Sequence, residues 1–420
     1  MAALKYENLN SEEALNLLYQ KNFINDNYDG FLTTLINDNI ITDANMNFWT
    51  EAFTLNPTEE QINLGNTKAN PAYSVTEVKH RPVSMAEAMA PLSEVSQLDQ
   101  EGFEAHTGEI YQYGKGLFDT SLSKMELEQR LLALSVQQRS IIDGFIGGVT
   151  DLIKSHNYNL SNLAAQVLSQ GGAYNNGTRR GLSGVAVSHG VDVPSTSFLK
   201  AGAKVWSTST GASTDADIPS YIQSKLDKFK KDNNIADNVP FMMDVPYDMV
   251  MNIFLKNYYV LQEVNRYIRL YAPDKVVVIK SDGTSAVDTS FVTWEQLVLY
   301  SQSAISKIPV IHVVKESQIN QGITSSTTVH GWKSNVVVLR PAGYAGVIVH
   351  SNLADVELLN REANSTIDFN IGKYNGYLYV INKIAPYGSF KQYHTDVLGR
   401  YAPALTVFNE MAIIDTETAD

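Results

Sequence analysis

The side chains best suited to proton transfer or metal binding in this chain are its eight histidines: His80, His106, His156, His189, His312, His330, His350 and His394. Two imidazoles can share a zinc ion from one strand or helix face when they stand at i, i+2 or i, i+4. No pair here does, so a zinc site would have to be gathered from distant parts of the chain. His312 and His350 lie in strand-like apolar runs and read as hydrogen-bonded sheet residues. Asp215 and Asp217 start like a calcium loop, but the remaining ligand positions are missing. Glu94, Asp99, Glu101, Glu104 and Glu109 crowd a candidate hairpin. Paired carboxylates that cleave glycosides need a rigid pocket, and a hairpin offers none. Gly181-Leu182-Ser183-Gly184 misses the G-x-S-x-G nucleophile elbow by one position, and neither phosphate-binding glycine motif nor H-E-x-x-H is present. With no cysteine, thiolate chemistry and disulfides are excluded. No catalytic, cofactor-binding or metal-binding residue is assigned.

A chain of 420 residues exceeds one ordinary core, which predicts two domains or one domain with arms. The net charge of −13 and a pI near 5.1 speak against a surface built to grip nucleic acid phosphates. The basic clusters Arg179-Arg180 and 228–231 are too short to change that. Residues 1–13 lack the apolar segment of a signal peptide, and no apolar run approaches the roughly 18 residues that span a bilayer. A soluble protein made in the cytoplasm is expected.

Residues 90–170 organise the chain. Two polar extended arms, 90–98 and 103–118, read as a hairpin turning at Asp99-Gln100-Glu101-Gly102, where Asp opens and Gly closes a type I turn. Its few apolar residues and Gly108, Gly114 and Gly116 make it marginal alone. Ser123-Lys124-Met125-Glu126 then has the form of a capping box, opening a helix to about Lys154. Ile142, Phe145, Ile146, Val149, Leu152 and Ile153 form its apolar stripe. Gly144, Gly147 and Gly148 mark either close approach of another backbone or a break. The hairpin is a floppy loop before an ordinary helix, or an arm made to lie on a neighbouring copy.

Around this stretch, residues 1–70 read as a polar, Asn-rich arm. Residues 159–169 carry a second helical pattern (Leu160, Leu163, Ala164, Val167, Leu168) stopped by Gly171-Gly172, and 175–217 is a Gly/Ser/Thr-rich connector. Asp217 and Pro219 open a further helix, whose lysines Lys228, Lys230 and Lys231 suit its C-terminal dipole. A strand at 241–245 precedes a long helical stretch, 246–271. A hairpin turning at 281–284 follows, and Thr293 with Gln296 caps a helix running to about Ser306. Strands are expected at 309–314, 335–339, 344–350, 366–371 and 377–384. The class is α+β with two centres, one around the long helix and one in about 244–379.

This order of elements resembles the major capsid proteins of tailed bacteriophages, the Hong Kong phage-type (Johnson) coat fold that encapsulin shells share. The run 307–314 (KIPVIHVV) resembles that family's axial strand, and Gly331-Trp332 followed by 335–343 (NVVVLRPAG) its next strand and turn. The ending 400–405 (RYAPAL) is similar to capsid proteins of phages of Bacteroidetes hosts. The resemblance implies an N-terminal arm (1–70), an extended β-hairpin loop (71–118), a peripheral domain with a spine helix (119–243), an axial domain (244–379) and a returning C-terminal segment (380–420). It implies a non-enzymatic subunit that assembles with itself, as hexamers and pentamers, into an icosahedral shell around double-stranded DNA. Separate scaffolding, portal and decoration proteins would be its partners, DNA would be touched weakly and without sequence preference, and no membrane is involved. The place would be the virion capsid, assembled in the host cytoplasm. No crosslinking Lys–Asn pair and no fused scaffold segment can be placed. The alternatives are an encapsulin-type compartment, a tail or other virion structural protein and, from another class, a hydrolase with scattered acids and histidines.

Overall fold

The computed structural model describes residues 41–45, 72–79, 102–119, 138–176, 186–190, 195–208, 211–212, 216–271, 278–279, 285–286, 292–314, 318–321, 326–329, 331–343, 345–351, 368–374, 378–387 and 390–419. Along the chain come β1 (Ile41–Asn45), β2 (Ala72–Lys79), β3 (Gly102–Glu109) and β4 (Tyr111–Asp119), then the helix α1 (Gln138–Gln170). After β5 (Phe198–Lys200) and α2 (Ile218–Asp232), β6 (Phe241–Pro246) leads into α3 (Tyr247–Asn252), α4 (Tyr258–Tyr271) and α5 (Trp294–Ser301). The last stretch is β-rich: β7 (Val310–Val314), β8 (Val336–Pro341), β9 (Gly346–Ser351), β10 (Asp368–Tyr374), β11 (Leu378–Tyr387), β12 (Phe390–Leu405) and β13 (Ala412–Asp415). The class is α+β, with the sheet strands gathered toward the C-terminal half.

Two sheets carry the architecture. The first has the order β7-β6-β8-β13-β5, and the second β1-β9-β12-β11-β10, with β4 also pairing β12. On β8 the side chains alternate between two buried layers. Val336 and Val338 join α1 and the second sheet, whereas Val337 and Leu339 join α2 to α5. Strand β13 does the same, with Ile413 on one side and Ala412 and Ile414 on the other. The two apolar centres are therefore the two faces of one sheet. The helix-covered one draws on residues from Ala201 onward as well as on the 244–379 stretch. An uninterrupted apolar run such as 336–339 is what a strand covered on both faces requires.

Helix α1 is longer at its C-terminal end than the stripe to Lys154 indicates. The patterns up to 154 and over 159–169 are one helix of 33 residues, because no proline or glycine separates them. Leu160, Leu163, Ala164, Val167 and Leu168 are all buried, as their spacing requires. Gly171 ends the helix at φ 70, with its N–H donating to the Val167 carbonyl at 3.0 Å. The backbone passes through Gly144, Gly147 and Gly148 without a break, which removes that reading of the glycines. The capping box at 123–126 lies outside the described residues.

The hairpin differs from expectation. Strand β3 pairs antiparallel with β2, from Ala72↔Glu109 to Lys79↔Gly102, while 90–98 and the turn at 99–101 lie outside the described residues. The second arm is itself divided at Ile110. Up to Glu109 it belongs to the ribbon, and from Tyr111 it is β4, paired along β12. Buried Ile110 packs with Val349, Ala402 and Ala404 and fixes the point where the ribbon leaves the sheet. The stretch 246–271 is likewise divided. After α3, a 3-10 turn at Phe254–Lys256 re-aims the chain, and Asn257 Oδ1 accepts from the Val260 N–H at the start of α4. Thr293 and Gln296 form the expected capping box, and Asp217 caps α2 by accepting from the Ser220 N–H. Helix α5 ends at Ser301 rather than near Ser306.

Gly346 sits where β9 meets β12, and a Cβ there would strike the backbone carbonyl of Ala404. Neither backbone can move without opening the ladder. Gly346→Ala should lower stability by about 1–3 kcal/mol, read as a reduced melting temperature.

Candidate functional site

Three neighbouring strands of the first sheet each place one polar side chain on the α1-facing side. Asp244 of β6 and His312 of β7 are direct cross-strand partners, and Arg340 comes from β8 on the other flank. All three are buried in an otherwise apolar sheet. The Arg340 Nε–H donates to Asp244 Oδ2 at 2.7 Å, and its Nη2–H to Oδ1 at 3.1 Å. His312 Nδ1 donates to the same Oδ1 at 2.9 Å. Burial by itself would raise the Asp244 carboxyl, but the Arg340 charge and the hydrogen bonds of Arg340 and His312 outweigh it and hold it down at about 2. Arg340 Nη1 also donates to the carbonyls of Pro341 and Gly343, fixing the turn where Gly343 has φ 123. The cluster thus ties β7, β6, β8 and the turn toward β9 into one unit.

A second polar cluster joins α1 to the other sheet. His156 Nε2 donates to the Val397 carbonyl at 2.9 Å, which leaves Nδ1 to accept from the Tyr401 hydroxyl at 3.0 Å. Asn159 Nδ2 donates to the same hydroxyl at 3.2 Å. The Tyr113 ring of β4 stacks on Tyr401 with centroids 4.7 Å apart. Helix, central strand and the root of the ribbon therefore meet at Tyr401. Burial pushes the His156 imidazole down to about 4, so it is neutral here, and burial also raises the Tyr113 hydroxyl.

Neither cluster has the geometry of a catalytic centre. Asp244 and Arg340 consume each other's charge inside the sheet. The open depression of about 450 Å³ elsewhere is lined by Ser169, Phe198, Lys200, Lys333 and Asp415 among others, at the end of α1 and the edge strand β5. Among the described residues no three His, Asp or Glu side chains converge as metal ligands, and no helix is long and apolar enough to cross a membrane.

His312 is a hydrogen-bonded sheet residue, as its place in an apolar run indicates. Asp217 is a helix cap rather than part of a calcium loop. Lys230 does more than complement a dipole: it is buried and donates to the carbonyls of Asp237 and Val239. Of the hairpin carboxylates, Glu104 and Glu109 belong to β3, and Glu94, Asp99 and Glu101 lie outside the described residues. Sequence reasoning missed Asp244 with Arg340, and His156 with Tyr401. The signal available was a lone charge inside each of two apolar strands, FMMDVP and VVVLRP, since buried charges of opposite sign are expected to pair.

No family model matches the chain, and no curated protein does. Solved structures that overlap it include the cyanophage A-1(L) capsid asymmetric unit, with a TM-score of 0.42 at 10% identity over 93% of this chain and 95% of that one. Others are the capsid of cyanophage P-SCSP1u (0.39, 10%, 84% of each chain) and the capsid of a native GTA particle (0.39, 9%, 92% and 91%). All three overlaps are loose in both geometry and sequence.

Removing Arg340 leaves a buried carboxylate uncompensated, so Arg340→Met should cost about 3–5 kcal/mol in urea unfolding, and replacing Asp244 and His312 by apolar residues as well should recover much of it. For His156, the folded value of about 4 lies below the ordinary 6.5. Its contribution is therefore full above pH 6.5 and lost as the pH falls from 6.5 toward 4, a loss on the order of 3 kcal/mol. Over that window His156→Phe should lose less stability than the wild type.

Proposed function

We propose that this chain is a structural subunit that assembles with itself into the icosahedral capsid of a tailed bacteriophage, enclosing double-stranded DNA and performing no catalysis. The observation that carries this reading is the β2/β3 ribbon. It belongs to neither large sheet, its two strands pair with each other, and it leaves the body at a fixed point, Ile110. A two-stranded ribbon is marginal in water by itself, and in a shell a neighbouring copy supplies the surface it needs. The 33-residue helix laid over the sheets and tied at His156 gives the rigid body from which such an arm can reach.

On this reading the segment 1–70 is an arm, 71–118 the extended loop, 119–243 a peripheral domain, 244–379 an axial domain and 380–420 a returning segment. Hexamers and pentamers are the capsomers, with separate scaffolding, portal and decoration proteins as partners and assembly in the host cytoplasm. The run RYAPAL at 400–405 is similar to capsid proteins of phages of Bacteroidetes hosts. A net charge of −13 keeps the wall from holding packaged DNA tightly, so contact with the duplex is weak and independent of sequence.

The decisive measurement is particle size after expression with and without a scaffold. Closed shells of megadalton mass are expected, and a small oligomer under both conditions would overturn the reading. The pairing of Ala72 with Glu109 brings the two ends of the ribbon together. Replacing residues 74–107 by a short Gly-Ser turn should therefore leave a folded subunit that forms no closed shell, and normal shells from that variant would remove the ribbon's role.

A further inference from the structure

Among the described residues, five of the seven large apolar side chains left exposed, Met251, Tyr258, Leu270, Tyr271 and Leu299, belong to the helices α3, α4 and α5. These helices form the outer layer over one face of the first sheet. Tyr267 of α4 meets Tyr300 of α5 edge-on at 6.0 Å, and Lys307 beyond α5 pairs with Glu263 of α4 at 2.6 Å, so α4 and α5 lie side by side. Tyr258 and Leu270 are 62% and 61% exposed and Leu299 54%; one such residue needs no explanation, but several on one layer do.

Charge is distributed unevenly over the same layer. Tyr258, Gln262, Arg266 and Arg269 recur at i, i+4, i+8 and i+11 and are all exposed, giving α4 a basic outer face. The other two helices begin with acids: Asp248 in the first turn of α3 and Glu295 in the first turn of α5, both exposed. Tyr247 packs edge-on against Trp294 at 6.2 Å, which brings these two starts together. Among the described residues none of Arg266, Arg269, Asp248 and Glu295 is in an ion pair. Helix dipoles account for the signs of the terminal charges. They do not account for exposed tyrosine and leucine beside them. Exposed tyrosine, leucine and arginine on one layer, with uncompensated charge of both signs, are the make-up of a protein contact surface.

We propose that this layer is where one copy of the chain holds the next, the basic face of α4 in one copy seated against the acidic starts of α3 and α5 in its neighbour. The proposal rests on the shell reading and adds to it the contact within a capsomer, distinct from the ribbon. Because one chain carries both halves, no second protein is required, and the exposed apolar side chains would be covered at the same time.

The test is assembly of the full chain, followed by sedimentation and electron microscopy, for R266E/R269E, for D248K/E295K and for the four substitutions combined. Each reversal alone should reduce the assembled fraction at least tenfold while leaving the melting temperature of the subunit nearly unchanged, and the combined variant should restore assembly. Leu299→Gln, which changes no charge, should also weaken assembly and covers the case in which a reversal fails to fold. If the wild type forms shells and the reversals assemble as it does, or if assembly is lost and the combination does not restore it, the contact is overturned while the shell reading stands. If the wild type forms only a small oligomer, the shell reading falls, and the same variants decide the contact on that oligomer: dissociation by the reversals with recovery in the combination supports it, and an unchanged oligomer or a monomeric wild type overturns it.

Discussion

Burial of β8 on both faces is the constraint from which the rest of the structure follows. Val336 and Val338 point toward α1, Val337 and Leu339 toward the layer of α2 to α5, and each is essentially inaccessible to water. A strand in that position cannot be left half covered, because every second residue would return to water at about 1.5–3 kcal/mol each. One sheet therefore welds the two apolar centres, and a single chain segment is answerable to both. Its end must also be fixed, and this is where Arg340 acts. Its guanidinium neutralises Asp244 within the sheet and holds the turn that sends the chain into β9.

The second sheet depends on β12 in a comparable way. At 16 residues it is long enough to pair with β11, β9 and β4, so three separated parts of the chain are registered against one strand. Tyr401 stands at the crossing point. Its hydroxyl is shared by His156 and Asn159 of α1, and its ring carries Tyr113 of β4. A hydroxyl buried there without those partners would cost on the order of 1–3 kcal/mol, so the helix and the root of the ribbon are positioned by polar satisfaction as well as by packing.

These two anchored sheets give a rigid body, and the features proposed for assembly are the parts not consumed in building it. The ribbon leaves from Ile110, and the α3–α5 layer keeps tyrosine, leucine and both signs of charge on its outside. On the proposed reading, a shell wall needs this division. Its interior must hold one shape while its surface pairs repeatedly with copies of itself, and a surface made of many weak, charge-steered contacts allows correction during closure.

The sequence by itself determined the elements whose physics is local. The Thr293–Gln296 capping box, the Asp217 cap and the glycine stop at 171 depend on residues a few positions apart, and each is in the structure as read. The apolar stripe over 160–168 and the runs at 310–314 and 336–339 determined burial, and the order of strands gave the α+β class. Tertiary structure alone decided pairing. Nothing in the run 72–79 by itself says that it faces 102–109. The pairing is a matter of register along a ladder that ends where Ile110 meets Val349 and Ala402, some 240 to 290 residues away. The same holds for the buried polar groups. Asp244 and Arg340 are 96 residues apart, and His156 and Tyr401 are 245 apart. A lone charge in an apolar strand announces that a partner must exist, because an unpaired one could not be buried. Which partner it is depends on which strands become neighbours, and that is settled only when the sheet forms.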